Sequence, residues 1–360
     1  MPQEKKIYIA TFHHSMNYGA VLQTYALQMA LKHLNYAPVC IDFRFEDHLP
    51  RRKKNIQESI KKTILSLYSI KKKYIFAKFR KRYLFLTRHF RSIQDLSPDF
   101  FKDAYAGICG SDQVWNLDIV PLNILPFFLL DCLPAETRKI SYAASPVNLQ
   151  KVIENKAVFQ KSLKSFNNIS CRERDAKEVL EEVSSKEVSI VLDPTLLVPA
   201  DNWKKLELQR LIKEKYLLFY SFGAPQEMVS FAEKIAKEKK LLIVHLHKRS
   251  HFRVPNKSFA NAGPREFITL FRDADFIVTN SFHGTAFSII YQKDFVVQQV
   301  KDRASRMTSL AWDLGFSNRC VENVSSIDSR ELAPINYDMV CKNLETLRAE
   351  SFSFLSNSLE

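Results

Sequence analysis

Apolar and polar positions along the chain change period several times, and the changes mark its elements. Residues 6–11, KIYIAT, form a short β-rich run. A polar turn from His14 to Gly19 follows, and residues 20–33 then place apolar side chains at helical spacing. Residues 39–43 read as the next strand, so the chain opens as a βαβ unit with a parallel crossover. Further strands are predicted at 104–109, 139–144, 168–171 and 188–192, with helices at 152–166 and 174–183 between them. A second alternation runs through strands at 216–222, 241–247, 276–279 and 295–299 and a helix at 226–239. Residues from Tyr337 onward read as an amphipathic helix.

This order predicts an α/β protein made of two Rossmann-like parallel-sheet halves facing across a cleft. The expected division is an N-terminal domain over 1–200 with a helical insertion at 51–91, and a C-terminal domain over 201–330. Residues 331–360 are expected to return as a helix onto the first half. In such sheets ligands bind beyond the carboxyl ends of the strands, where loops meet helix N-termini.

Charge sharpens the picture at one place. The 360 residues carry 53 Lys+Arg and 39 Asp+Glu, a formal net charge of +14. Between Arg51 and Arg91 stand 15 basic residues and one acid, Glu58, so that segment holds the whole excess. Within it Phe76, Phe79, Tyr83, Leu86 and Phe90 fall three and four apart, which predicts one helix with an aromatic seam and a cationic face. The seam equally fits a helical hairpin packed on the sheet. Burial of the aromatics on one face argues against a nucleic-acid binder, which would present them to bases.

Composition removes other classes. With seven glycines the chain has neither G-x-G-x-x-G nor a P-loop spacing. Six scattered cysteines form no C-x-x-C and read as reduced, buried thiols of a cytoplasmic protein. His13-His14 and His245 with His247 lack a third ligand at zinc-like spacing, so no metal is expected. No run approaches the ~18–20 apolar residues of a spanning helix.

Candidate chemistry lies at the strand-to-helix steps. Asn280, Ser281, His283 and Gly284 sit between an apolar strand and a helix, where free N–H groups meet anions. Arg172 ends another strand and offers a planar fork for carboxylate or phosphate, or a structural ion pair with Glu173. Asn17, Tyr18 and Gly19 follow the first strand, and Ser111, Asp112 and Gln113 follow the strand at 104–109. Both groups suit hydroxyl-rich ligands, and turn or cap chemistry explains them nearly as well. Asp193-Pro194-Thr195 reads as a turn.

In order, T-F-H-H-S-M-N-Y-G-A-V-L-Q, G-S-D-Q-V-W-N, S-Y-A-A-S, S-C-R-E, L-D-P-T and N-S-F-H-G-T-A-F-S resemble the motifs of the polysaccharide pyruvyl transferase family over about residues 6–319. The resemblance implies a glycosyltransferase-B-like fold and transfer of pyruvate from phosphoenolpyruvate to a sugar of a surface polysaccharide, such as capsule or exopolysaccharide, or of its polyprenyl-linked precursor. The product would be a cyclic ketal, formed with no cofactor. It implies His283 as general acid and Arg172 as donor grip, with Asn280, Ser281, Gly284 and Arg306 on the donor side. Asp112 is the expected base, and Asn17, Tyr18, Gly19, Ser111 and Gln113 the expected acceptor contacts. Ser281 stands where several relatives carry an arginine, and Arg303, Arg306 and Lys248 are candidate replacements. The competing enzyme reading is an inverting glycosyltransferase with a nucleotide-sugar donor. A polyprenyl-linked acceptor would bring the 51–91 segment to the inner face of the cell membrane.

Overall fold

The computed structural model describes residues 4–45, 59–247, 251–300, 304–328 and 332–360, with backbone alone for 59–69 and Ala304. The chain forms two compact units. One comprises Met1–Lys54, Lys78–Val198 and Thr346–Glu360, and the other Asn55–Ala77 and Pro199–Glu345.

The first unit carries β1 (Lys6–Ala10), β2 (Ala37–Cys40), β3 (Ala104–Cys109), β4 (Arg138–Ser141), β5 (Ile169–Cys171) and β6 (Val188–Ile190). Its strands pair in parallel in the order β2-β1-β3-β4, with β5-β6 as a further pair. Hydrogen bonds from Ser141 N to Asn168 O and from Ala144 N to Ser170 O carry the ladder from β4 to β5. The strands are short and apolar because helices cover both faces of a parallel sheet. Ile7, Ile9, Ile108 and Ile140 are fully buried on one side, together with Leu355 and Leu359 of the helix Tyr337–Leu359. Tyr8, Ala10, Cys109, Trp115 and Phe128 belong to the core on the other.

The basic segment departs from a single helix. A helix runs over Ser59–Tyr83, and Phe76 and Phe79 are buried as the seam requires. Residues 84–90 are instead extended. Cys40 N donates to Phe85 O, Thr87 N to Cys40 O and Phe90 N to Asp42 O, and parallel bridges join Cys40 to Leu86 and Phe43 to Phe90. Gln28 reinforces the pairing with two bonds to the Phe85 backbone, 2.7 and 3.1 Å. Ladder bonds to β2 thus override the three-and-four spacing, and Leu86 and Phe90 reach the core from an edge strand. Counted in chain order, (84–90)-β2-β1-β3-β4-β5-β6 is then 3-2-1-4-5-6-7, the doubly wound arrangement with one strand added at its end. Residues 51–58 of the predicted helix lie outside the described residues.

The second unit has β7 (Tyr216–Tyr220), β8 (Leu242–His245), β9 (Asn256–Ser258), β10 (Phe276–Thr279), β11 (Phe295–Gln298) and β12 (Cys320–Val321). They pair in parallel in the order β12-β11-β10-β7-β8-β9, again 3-2-1-4-5-6 when counted from β7. Strands β7 and β10 are buried along their whole length. Two helices that the sequence pattern did not separate from loop, Pro264–Asp273 and Ala304–Leu314, complete the unit. The helix predicted over 152–166 is split at Asn155, whose side chain donates to Lys151 O.

Candidate active site

Doubly wound order fixes where a site belongs. The strand order reverses between β7 and β10 in the second unit, and between β1 and β3 in the first, so the loops leaving those strands diverge and open a crevice.

In the second unit the crevice-side residues come from β10 and the helix Phe282–Ile290 that follows it at once. Ser281 caps that helix, its hydroxyl accepting from Gly284 N at 3.3 Å. Serine is among the strongest N-cap residues, which gives the position expected to carry an arginine a local role without one. Gly284 lets the helix press onto the strand: a Cβ there would lie 2.3 Å from Thr279 Oγ1 and 3.1 Å from Tyr220 Cδ1. His283 is thereby held in the first helical turn, buried, with its ring edge-on to Phe282. Asn280 joins the two loops at the switch point, its Oδ1 accepting from Phe222 N at 2.7 Å and its Nδ2 donating to Phe222 O at 3.1 Å.

Three residues beside these were not assigned to the site from the sequence. Ser221 Oγ donates to Gly223 O and lies 3.2 Å from His247 Nε2. Burial, with the charges of His245 and His251, lowers the His247 pKa to about 4, so its ring is neutral at pH 7. Phe222 is a large aromatic left exposed at this edge. The sequence signal for all three was only their position at the carboxyl end of an apolar strand. Arg306 is buried in the helix Ala304–Leu314, and Arg303 and Lys248 lie outside the described residues.

In the first unit the predicted residues divide between caps and an internal network. Asn17 caps the helix Tyr18–His33, its Oδ1 accepting from Gly19 N and Ala20 N. Tyr18 and Gly19 are buried in its first turn. Thr11 Oγ1 donates to Ser111 O at 2.9 Å and ties the loop after β1 to the loop after β3. Ser111 is buried, and its hydroxyl contacts Ala143 O and Asp193 Oδ2. Gln113 accepts from Asn116.

The guanidinium expected to grip the donor is 2% exposed and surrounded by carboxylates. Arg172 Nη1 donates to Asp193 Oδ2 at 2.7 Å, with Asp112 at 3.6 Å and Glu173 at 3.8 Å. Burial pulls its pKa down, but Asp193, Glu173 and Asp112 outweigh that and raise it. Asp193 also accepts from Thr195 N and Oγ1, and Ser145 Oγ donates to Glu173 at 2.5 Å. The arrangement brings Ser111, Asp112 and Arg172 together. Its hub is Asp193, which the sequence presented only as a turn residue.

Together these units define a glycosyltransferase-B-like α/β enzyme fold. Among solved structures the chain is similar to the UDP-GlcNAc 2-epimerase of Methanocaldococcus jannaschii, at 13% identity over 95% of this chain and 92% of that one, with a TM-score of 0.50. It is equally similar to that of Neisseria meningitidis bound to UDP-GlcNAc, at 12% identity over 99% and 94%, TM-score 0.50. Likeness at such identities is one of fold. No curated protein matches the chain. The family model of polysaccharide pyruvyl transferase matches residues 17–297, and the chain belongs to that family of transferases.

Proposed function

We propose that this protein transfers pyruvate from phosphoenolpyruvate to two hydroxyls of a sugar, in a surface polysaccharide or its lipid-linked precursor. The observation that carries the reading is the placement of His283. It is a buried imidazole in the first turn of a helix that starts immediately beyond β10, at the switch point of the sheet. Free N–H groups and the positive end of the helix dipole favour an anion there.

In this reading His283 delivers a proton to the methylene carbon of phosphoenolpyruvate, leaving an oxocarbenium centre at C2. One sugar hydroxyl adds to C2 and gives its proton to a base, for which Asp112 is our candidate. The second hydroxyl then displaces phosphate, whose departing oxygen takes up the remaining proton, and the cyclic ketal closes. Arg172, held by Asp193, positions Asp112 rather than clamping the donor from solution. Asn280, Ser281 and Gly284 frame the donor side, with Arg306 of the following helix as its candidate cation. Asn17, Tyr18, Gly19, Ser111 and Gln113 frame the acceptor side.

Incubating purified protein with phosphoenolpyruvate and a panel of nitrophenyl glycosides should release inorganic phosphate. His283→Ala should lower that rate ~10²–10⁴-fold, the usual worth of a general acid. Retention of the full rate overturns the role of His283.

One observation favours a second reading, transfer from a nucleotide sugar. Ser281 supplies no cation, and a neutral His247 beside Ser221 suits an uncharged heterocycle as well as a phosphate. Thermal shifts with phosphoenolpyruvate against nucleotide sugars separate the two.

The exposed side of the helix Ser59–Tyr83 is proposed as a membrane-surface contact for a lipid-linked acceptor. Among the described residues, no helix is long and apolar enough to cross a membrane.

A further inference from the structure

Beyond the carboxyl ends of β1, β2 and the edge stretch 84–90 lies a second cluster of ionisable groups, all within the first unit. Asp42, two residues past the end of β2 at Cys40, is buried and accepts from His13 Nε2 at 3.0 Å. Arg44 grips the same carboxylate by two bonds, Nε to Oδ1 and Nη2 to Oδ2, both 3.1 Å. His89 approaches from the edge stretch, its Nδ1 3.2 Å from Asp42 O. Arg80, in the last turn of the helix Ser59–Tyr83, donates through Nη1 to His14 O at 2.9 Å. Asp42 is thus the carboxylate that His13 and Arg44 share.

The members differ in access. His13 and Asp42 are sealed, whereas Arg44 is 33% exposed and His14 is partly exposed. The bidentate grip occupies one edge of the Arg44 guanidinium and leaves Nη1 outside that pair, in the fork geometry that suits a phosphate or carboxylate. The field at the outer face is positive. Burial lowers the His14 pKa to about 3, and the charges of Arg80, Arg44 and His13 act in the same direction against Asp42. Held neutral chiefly by burial, the ring can still donate one N–H to an anion.

We propose that Arg44 and His14 form an anion subsite that takes a phosphate or carboxylate group carried by the sugar acceptor, with buried Arg80 holding the His14 backbone and the His13–Asp42 pair as the brace that fixes Arg44. The identification of the anion's carrier as an acceptor rests on the pyruvyl-transfer reading. The subsite itself rests on the cluster alone. It stands at the edge of the sheet reached from the first unit's loops, away from His283 in the chain, and neither the donor chemistry nor the network of Arg172 uses it.

Calorimetric titration of the full-length protein with glucose 1-phosphate, glucuronate and glucose at low ionic strength tests it. The expected result is saturable binding of at least one of the two acids ~10-fold or more tighter than glucose. Tighter binding of the sugar phosphate points to a lipid-phosphate source of the anion, and tighter binding of glucuronate to an acidic sugar. In Arg44→Gln the preference for the acid over glucose should collapse toward one. Arg44→Lys, which keeps the charge, serves if the glutamine variant is unfolded by circular dichroism, and should retain only part of the preference. Equal binding of acid and neutral sugar by the wild type, or an unaltered preference in a folded Arg44 variant, overturns the proposal. Phosphate release from phosphoenolpyruvate by the wild type is measured separately. Its absence with an intact Arg44-dependent preference would remove the pyruvyl-transfer reading and leave the subsite standing.

Discussion

Asp193 gathers bonds from Arg172, Ser111 and Thr195 while fully buried. Removing its charge leaves the Arg172 guanidinium in the interior with its closest partner neutralised. Breaking a buried pair from one side typically costs ~3–5 kcal/mol. Asp193→Asn, nearly isosteric, should therefore lower stability by an amount of that order, read as a fall in urea midpoint at unchanged m-value. A shift within error would mean that Asp112 and Glu173 suffice for Arg172. The His13–Asp42 pair makes a pH prediction. Burial alone would raise the Asp42 carboxyl, but the bonds from His13 and Arg44 hold it below the usual range. Its contribution is thus present above the ordinary carboxylate pKa of ~3.9 and lost as pH falls through its lower folded value. Burial pushes His13 down, yet Cys40 and Asp42 raise it to about 10. Its contribution is full below ~6.5 and lost as pH rises toward the folded value. The Tm gap between wild type and His13→Gln should therefore be largest at pH 5–6.5 and shrink by pH 10. A gap independent of pH would show that the ring acts through packing.

At the scale of elements, the helix Phe282–Ile290 is held down on β10 by what Gly284 lacks. Gly284→Ala drives a methyl to within 2.3 Å of a buried threonine hydroxyl. Overpacking of that kind costs ~1–3 kcal/mol, and Thr279→Ala in the same chain should recover part of it. A Gly284→Ala protein with wild-type Tm would show that the helix has room to lift. This contact also marks the limit of what the pattern along the chain discloses. Strands β1, β3, β7 and β10 were legible as apolar runs because parallel strands are buried on both faces. The strand-to-helix steps around Asn17, Ser111, Arg172 and His283 followed from the alternation. The stretch 84–90 was not legible, because Leu86 and Phe90 continue the helical spacing of Phe76 and Phe79 by coincidence. Only the pairing with β2 and the amide of Gln28 decides between helix and strand. Asp42 and Asp193 were missed for the same reason: their partners lie 29 and 21 residues away in sequence.

For the whole molecule the question is where its charge acts. Outside residues 51–91 basic and acidic side chains balance, so long-range attraction to an anionic surface must come through that segment. The structure divides its described part into two kinds of residue. Arg80 is buried and bonded to His14 O, so it serves the fold. Lys71, Lys73, Lys78, Lys81 and Arg82 are exposed, and they share the helix surface with Ile70 and Tyr74, which are 60% and 66% exposed. Cations interleaved with exposed apolar side chains form the surface that an interfacial helix presents to a bilayer. At ~1 kcal/mol per basic residue near an anionic leaflet, five such residues would hold the protein at the membrane at low salt and release it as the Debye length shortens. Co-sedimentation with vesicles containing an anionic phospholipid should thus fall steeply with added salt, and should be abolished when these five are changed to Gln while Arg80 is kept. Vesicles of zwitterionic lipid alone should not sediment the protein. Binding that resists salt, or that survives the five substitutions, would leave the segment a solvated helix whose buried face alone matters, and the acceptor would then have to reach the enzyme without help from its charge.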